Sequence, residues 1–217
     1  MRSLTALAFA LMWVGSGAAE ATSPKPFGPK AAVLSNRKMS DDDKARQVTH
    51  DFAACMLKRE AKRFEAALAV FPVTSSYKAL ARVADSDCLY AGQLRMPPTL
   101  LRGSAFRALY TRDFAAVAPL QASSRMDYLG EAGADEQARI RATLTEFGSC
   151  VARTNPSASR ALVLADVATR EEADAIAALR SSLGDCLRDG TLKLSRAVLQ
   201  SILAEVLYRE ASLQGAR

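Results

Sequence analysis

The residues able to do chemistry in this 217-residue sequence are four cysteines, one histidine and scattered carboxylates. Cys55, Cys88, Cys150 and Cys186 are widely spaced and include no CxxC pair, the arrangement typical of a thiol redox site. With a single histidine, they could form a zinc site only if the protein stayed reduced. We therefore expect structural cysteines and neither a metal ion nor a cofactor.

His50 is the only imidazole, so a Ser-His-Asp or Cys-His mechanism would have to use it. Asp51 follows it, but the sequence contains no G-x-S-x-G nucleophile elbow. We interpret His50 as a surface or partly buried residue of a helix.

Paired carboxylates could act as the acid and base of a glycosidase. Most candidates occupy positions typical of solvated helix faces or helix ends: Glu60, Glu65, Asp85, Asp87, Glu146, Glu171, Glu172 and Asp185. Asp87 and Asp185 differ because each immediately precedes a cysteine, and a local backbone hydrogen bond at a helix end would explain that position. A glycan hydrolase remains the alternative to a non-enzymatic protein.

Lys58, Arg59, Lys62 and Arg63 recur at helical spacing and predict a basic strip. Such a strip is typical of a solvated face; the functional alternative is contact with a phosphate or an anionic glycan. The net charge is +6, but we do not expect the protein to bind nucleic acid, because exposed aromatic residues are not interleaved with the basic ones.

The N-terminal residues 1–21 have the features of a signal peptide. Arg2 precedes an apolar run from Leu4 to Val14, and Ala19-Glu20-Ala21 fits a cleavage site, which predicts a periplasmic or secreted protein cut after Ala21. No later segment is long and apolar enough to span a membrane.

Residues 22–39 form a basic arm that contains three prolines and no acidic residue. Such a segment buries too little apolar surface to offset its ordering entropy, so we expect a flexible tether. It is either a solvated spacer or a segment attracted to an anionic envelope surface.

The chain also resembles itself. Residues 87–110 align without a gap on residues 185–208, with eight of 24 positions identical. The identical pairs are Asp87/Asp185, Cys88/Cys186, Leu89/Leu187, Gly92/Gly190, Leu94/Leu192, Leu101/Leu199, Leu109/Leu207 and Tyr110/Tyr208. Upstream, an offset of 95 superimposes Phe52 and Cys55 on Phe147 and Cys150. We interpret the chain as two helical repeats, 40–113 and 134–217, joined by a connector, 114–133.

Each repeat is expected to contain about four helices, which makes the protein all-α, with the two repeats packed as one bundle-like body. The first helix starts after Ser40, where Asp41 to Asp43 favour a helix N-terminus. In the first repeat, the second helix is predicted at Glu60–Val70, the third at Ser75–Ala84 and the last from Pro97 onward. In the second repeat, the corresponding helices are predicted at Pro156–Leu164, at Arg170–Leu183 and from Ser195 onward. Gly92 and Gly190 favour turns before the last helices.

The last helix of the second repeat carries a broad apolar stripe that another element must cover. The stripe consists of Val198, Leu199, Ile202, Leu203, Val206 and Leu207. In the first repeat, the small residues Gly103, Ser104 and Ala105 occupy part of this stripe. They predict close packing against another helix backbone, with an exposed partner site as the alternative. Tyr110 and Tyr208 are expected at the inter-helix core, with their hydroxyls at its edge.

Four cysteines in an exported protein indicate two disulfides and allow three connectivities. The repeat favours Cys55–Cys88 and Cys150–Cys186, because each would then connect the first helix of a repeat to the end of its third helix. Loops of this size should stabilise the fold by about 4 kcal/mol each.

The second repeat contains the motif Asp185-Cys186-Leu187-x-x-Gly190-x-Leu192, followed by Leu203 to Arg209. This motif resembles those of small secreted bacterial proteins that carry a two-cysteine helical unit once or twice. The resemblance covers most of the mature chain. It implies a location outside the cytoplasm and a repeated unit, and it carries over no site residues.

We therefore predict an exported, non-enzymatic interaction or ligand-binding module of the bacterial cell envelope. The expected partner is an envelope protein or an anionic envelope surface. The alternatives are an envelope glycan hydrolase and a purely structural protein.

Overall fold

The computed structural model describes residues 39–70, 73–88, 96–117, 125–187 and 193–215. The predicted signal peptide, the arm except Met39, and the predicted turns at Gly92 and Gly190 lie outside these ranges. Within them all regular structure is helical, which confirms the all-α class. The elements are α1 (Asp41–Leu68), α2 (Val73–Val83), a 3-10 helix (Ser86–Cys88), α3 (Pro98–Phe114), α4 (Tyr128–Ala132), α5 (Glu136–Thr154), α6 (Pro156–Leu164), α7 (Arg170–Ala178), α8 (Arg180–Cys186) and α9 (Arg196–Gly215).

Helix α1 begins where the sequence predicts. The Ser40 hydroxyl accepts a hydrogen bond from the Asp43 N–H at 3.2 Å, and three acidic residues occupy the first turn. The separate second helix predicted from Glu60 is instead the continuation of α1, which bends at Glu60, where φ is −130° and ψ is 38°. The two parts of α1 on either side of the bend both bury side chains in the core, among them Met56 and Phe64.

The corresponding position in the second half of the chain is a true helix boundary. Asn155 caps α6 by accepting the Ala158 N–H at 3.1 Å, and Pro156 occupies the first turn. The single third helix predicted over Arg170–Leu183 is divided at Leu179 into α7 and α8. The predicted connector contains the short helix α4, in which Tyr128 is buried.

Helices α3 and α9 lie at the centre of the described structure. They make the most extensive contact of any helix pair, and α1 packs on α3 while α5 and α6 pack on α9. The predicted apolar stripe of α9 is buried, with Val198 half-buried at its start. One continuous hydrophobic core therefore contains side chains from both halves of the chain.

The small-residue patch of α3 packs against α9, as the sequence predicts. Gly103, Ser104 and Ala105 are buried. A Cβ atom on Gly103 would lie only 2.5 Å from the Cα of Ser201, so the two backbones approach too closely for a side chain. Ser201 follows Gly103 by 98 residues, the offset of the sequence alignment, so the two helices cross at aligned positions.

The two disulfides are Cys55–Cys88 and Cys150–Cys186, the pairs that the sequence predicts. The first joins α1 to the 3-10 helix, and the second joins α5 to the end of α8. In the described ranges, no helix combines the length and apolarity needed to cross a bilayer.

Candidate ligand-binding groove

The predicted basic strip lies on the surface of α1, where Lys58, Arg59, Lys62 and Arg63 are all exposed. Arg59 pairs with Asp85 and with Asp87, each at 2.8 Å, and Arg63 lies 3.6 Å from Glu60. Part of the strip is therefore neutralised by carboxylates, and its role in anion binding stays a prediction.

The backbone hydrogen bond expected of Asp87 belongs instead to its neighbour. The Asp85 carboxylate accepts the Asp87 N–H at 2.9 Å, while the Asp87 carboxylate accepts from Arg59. Asp185 is exposed. His50 is buried on α1 and lines none of the grooves described below.

The aromatic residues predicted at the inter-helix core lie together. Tyr110 is buried and Tyr208 half-buried. The Phe114 ring contacts both, with centroid distances of 5.8 Å to Tyr110 and 5.7 Å to Tyr208. These rings join the central helices α3 and α9.

A half-open groove of about 410 Å³ lies where α2, α3, α5 and α9 meet. From α2 and α5 it is lined by Thr74, Tyr77, Gln137, Ile140, Arg141 and Leu144. From the N-terminal ends of α3 and α9 it is lined by Pro97, Thr99, Leu100, Ser195, Ala197, Val198 and Ser201. Its size is typical of a site for a small molecule.

The walls of this groove are mainly apolar. Leu100, Leu144 and Val198 are half-buried, and Ile140 keeps 52% of its surface exposed at the rim. Exposed apolar side chains next to a concave surface are typical of binding sites. None of the described residues that line the groove is a carboxylate.

Arg141 is the charged residue of this lining and is only 6% exposed. One guanidinium nitrogen donates to Glu205 Oε2 at 3.0 Å, while its buried Nε has no hydrogen-bond partner among the described residues. Arg141 also lines a small depression of about 30 Å³ beside Arg102 and Glu205. Its side chain therefore separates the groove from a buried ionic cluster.

Glu205 is the buried carboxylate of this cluster and is shared by three arginines. It lies 2.7 Å from Arg102, 3.0 Å from Arg141 and 3.7 Å from Arg209. Burial by itself would raise the pKa of Glu205, but the guanidinium groups outweigh burial and lower that pKa to about 2. The cluster therefore keeps a single buried carboxylate ionised between several cations.

Tyr77 of α2 also lines this groove. Burial raises the pKa of the Tyr77 hydroxyl, and the positive charges of Arg141 and Arg102 partly offset that shift. The hydroxyl is therefore neutral at neutral pH and available as a hydrogen-bond donor.

A second depression of about 590 Å³ lies beside the first and shares its residues Pro97, Leu100, Ser195 and Ala197. Its remaining wall comes from the N-terminal part of α1, including Asp42, Ala45 and Arg46. At the alignment offset of 95 these three residues correspond to Gln137, Ile140 and Arg141 of the first groove.

Arg46 has more carboxylate partners than its counterpart Arg141. It pairs with Asp43 at 2.9 Å and with Glu172, and it also donates to Gln200 Oε1 at 3.1 Å. Glu172 is 1% exposed. One guanidinium is thus matched by two carboxylates here, whereas around Glu205 several guanidiniums share one carboxylate.

Sequence analysis missed the groove and both ionic clusters. The available signal was Gln200, Glu205 and Glu210, which recur every five residues within the apolar region of α9 and are all buried. A polar residue inside a buried stripe indicates a buried partner. The charged partners Arg46, Arg102 and Arg141 come from other helices, and the sequence does not show which of them meets which residue of α9.

In the part of the chain that the structure describes, no group of three or more His, Cys, Asp or Glu side chains is arranged to hold a metal ion. Comparison of the chain with protein families, with curated proteins and with solved structures finds no match.

Proposed function

We propose that the protein is an exported, non-enzymatic binding module of the cell envelope and that its ligand occupies the groove between α2, α3, α5 and α9. The observation that carries this proposal is the composition of the groove walls. They combine exposed and half-buried apolar side chains with one buried arginine and a tyrosine, the pattern of a site that holds an apolar molecule by a few polar contacts.

We also propose that the chain consists of two copies of one helical unit. Three observations support it: each half has a disulfide from its first long helix to the element that precedes its last helix, the central helices cross at the aligned residues Gly103 and Ser201, and the two depressions have aligned residues in their walls. The groove then lies between the units, because α2 and α3 belong to one and α5 and α9 to the other.

Export is supported by the disulfides and by the N-terminal sequence. Disulfides persist in oxidising compartments such as the periplasm, and residues 1–21 have the pattern of a signal peptide. The basic arm then follows the cleavage site and tethers the helical body to an anionic envelope surface.

A glycan hydrolase would need two carboxylates facing its substrate. The described walls of the apolar groove offer none, and the second depression has Asp42 and Asp43, of which Asp43 is bound by Ser40 and Arg46. The geometry therefore favours binding over hydrolysis. A purely structural protein would bind no apolar molecule at this groove, which the following experiment tests.

The test uses Nile red, a neutral apolar dye whose fluorescence rises in an apolar site. The oxidised mature protein should bind the dye with saturation, and Ile140→Glu should weaken binding about tenfold because it places a charge at the apolar rim. Ile140 is half exposed, so the variant should keep its unfolding temperature.

The matched control is Leu213→Glu, which adds the same charge at a residue that is 40% exposed and outside the groove. It should bind the dye like the unmodified protein. Equal loss in both variants, or no saturable binding by the unmodified protein, would contradict the proposed function.

A further inference from the structure

We infer that the ligand of the groove is an amphipathic molecule with one carboxylate, whose carboxylate binds Arg141 and whose apolar chain lies along Leu100, Leu144 and Val198. The inference rests on the proposed function and adds the chemical class of the ligand.

The first argument is the charge around Arg141. Arg102 and Arg141 share the Glu205 carboxylate, and Arg102 takes most of it through three contacts between 2.7 and 3.2 Å, whereas Arg209 lies 3.7 Å from Glu205 and pairs with Glu131 at 2.6 Å. Arg102 is also bound by the Leu68 carbonyl and the Ser76 hydroxyl. Arg141 keeps one contact to Glu205 and an unpartnered Nε. A buried guanidinium with spare donors favours an anion.

The second argument is the comparison of the two depressions within this chain. In one, Arg46 receives the buried carboxylate Glu172 from α7. In the other, α2 presents Thr74 and Tyr77 beside Arg141 and supplies no carboxylate. A ligand carboxylate would pair with Arg141 as Glu172 pairs with Arg46. The Tyr77 hydroxyl could donate a further hydrogen bond to that carboxylate.

The third argument concerns the rest of the ligand. Ile140 stands where the other depression has Ala45, and Gln137 stands where it has Asp42. These differences make the groove beside Arg141 more apolar and remove an acidic residue from its wall. An anionic head with an apolar chain fits that surface.

The experiment is isothermal titration of the oxidised mature protein with dodecanoate, dodecanol and dodecyltrimethylammonium, each below its aggregation limit. These probes share one apolar chain and differ in head-group charge. We expect dodecanoate to bind at least about tenfold more tightly than dodecanol, and dodecyltrimethylammonium to bind most weakly.

Two variants locate the head group. Arg141→Gln should remove the preference for dodecanoate over dodecanol, whereas Arg170→Gln, which removes an exposed arginine of α7, should preserve it. Ile140→Glu keeps the test decisive if Arg141→Gln fails to fold. It should weaken the binding of dodecanoate by a larger factor than the binding of dodecanol. The added glutamate makes the rim of the groove polar for both probes and repels only the dodecanoate head group.

The possible failures are distinguishable. Equal affinities for dodecanoate and dodecanol, both lowered by Ile140→Glu, would overturn the carboxylate inference and leave the proposed function standing. A dodecanoate preference unchanged in both Arg141→Gln and Ile140→Glu would also overturn it. No binding of any probe, together with no binding of Nile red, would overturn both proposals.

Discussion

Two buried glutamates of α9 occupy opposite electrostatic environments. Glu205 is surrounded by guanidinium groups, and its pKa falls to about 2. Glu210 accepts hydrogen bonds from Ser149 at 2.6 Å and Tyr128 at 3.3 Å, and its Oε2 is buried without a partner among the described residues. Burial raises the pKa of Glu210. The same residue type therefore stabilises an ion cluster at one position and carries a desolvation cost at the other.

Glu205→Gln should destabilise the protein by about 3 to 5 kcal/mol at neutral pH, because it leaves two buried arginines without their carboxylate. The folded-state pKa of Glu205 is lowered, so its contribution is present above about pH 4.5 and lost as the pH falls towards 2. The loss over that window is about 3 kcal/mol. Urea unfolding at several pH values should therefore show the gap between the two proteins closing in acid, and a gap independent of pH would contradict this account.

The effect of Glu210→Gln on stability should depend on pH in the opposite direction. A raised pKa in the folded state means that the stabilising contribution of Glu210 is present below about pH 4.5 and is lost as the pH rises through the folded-state value. Glutamine does not ionise, so the stability of the variant relative to the unmodified protein should improve as the pH rises above 4.5. Urea unfolding of both proteins at the same series of pH values measures this relative stability. A relative stability of the variant that falls with rising pH would refute the raised pKa of Glu210.

At the scale of elements, the crossing of α3 and α9 depends on the absence of one side chain. Gly103→Ala should push Ser201 away and destabilise the protein by about 2 to 3 kcal/mol. Gly184→Ala on α8 is the matched control, because nothing lies within 4 Å of its Cβ position, and helix propensity should make it neutral or stabilising by up to about 1 kcal/mol. Thermal unfolding measures both. Equal effects of the two substitutions would show that the crossing tolerates a methyl group.

Helix boundaries illustrate which local features the sequence specifies. The start at Ser40 and the start at Pro156 were predictable from capping and proline chemistry. The continuation of α1 through Glu60 was not, because Glu60 takes non-helical backbone angles without any residue that requires them. Packing of both parts of α1 against other helices decides that the chain bends there and does not end.

At the scale of the whole molecule, the two disulfides constrain both halves of the chain to a similar extent. They close loops of 33 and 36 residues. Replacing either pair of cysteines by alanine should lower the free energy of unfolding by about 4 kcal/mol, and the two losses should be nearly equal. Guanidinium unfolding of the two double variants measures this. A large loss for one pair and none for the other would contradict equivalent roles in the two halves.

The sequence by itself determined the helical class, most of the helix starts, the disulfide pairs and the buried stripe of α9. These properties follow from local chemistry and from periodicity, which are readable along the chain. The sequence alignment of the two halves guided the prediction of the cysteine pairing.

Only the tertiary structure decided where the groove lies and which arginines face carboxylates. Arg46 and Arg141 are aligned residues, yet Arg46 pairs with Asp43 and Glu172, whereas Arg141 shares Glu205 with Arg102. Glu172 and Glu205 belong to helices that are distant in the sequence, so the difference arises from packing between elements. Long-range packing determines burial and charge pairing, and these determine what the groove can bind.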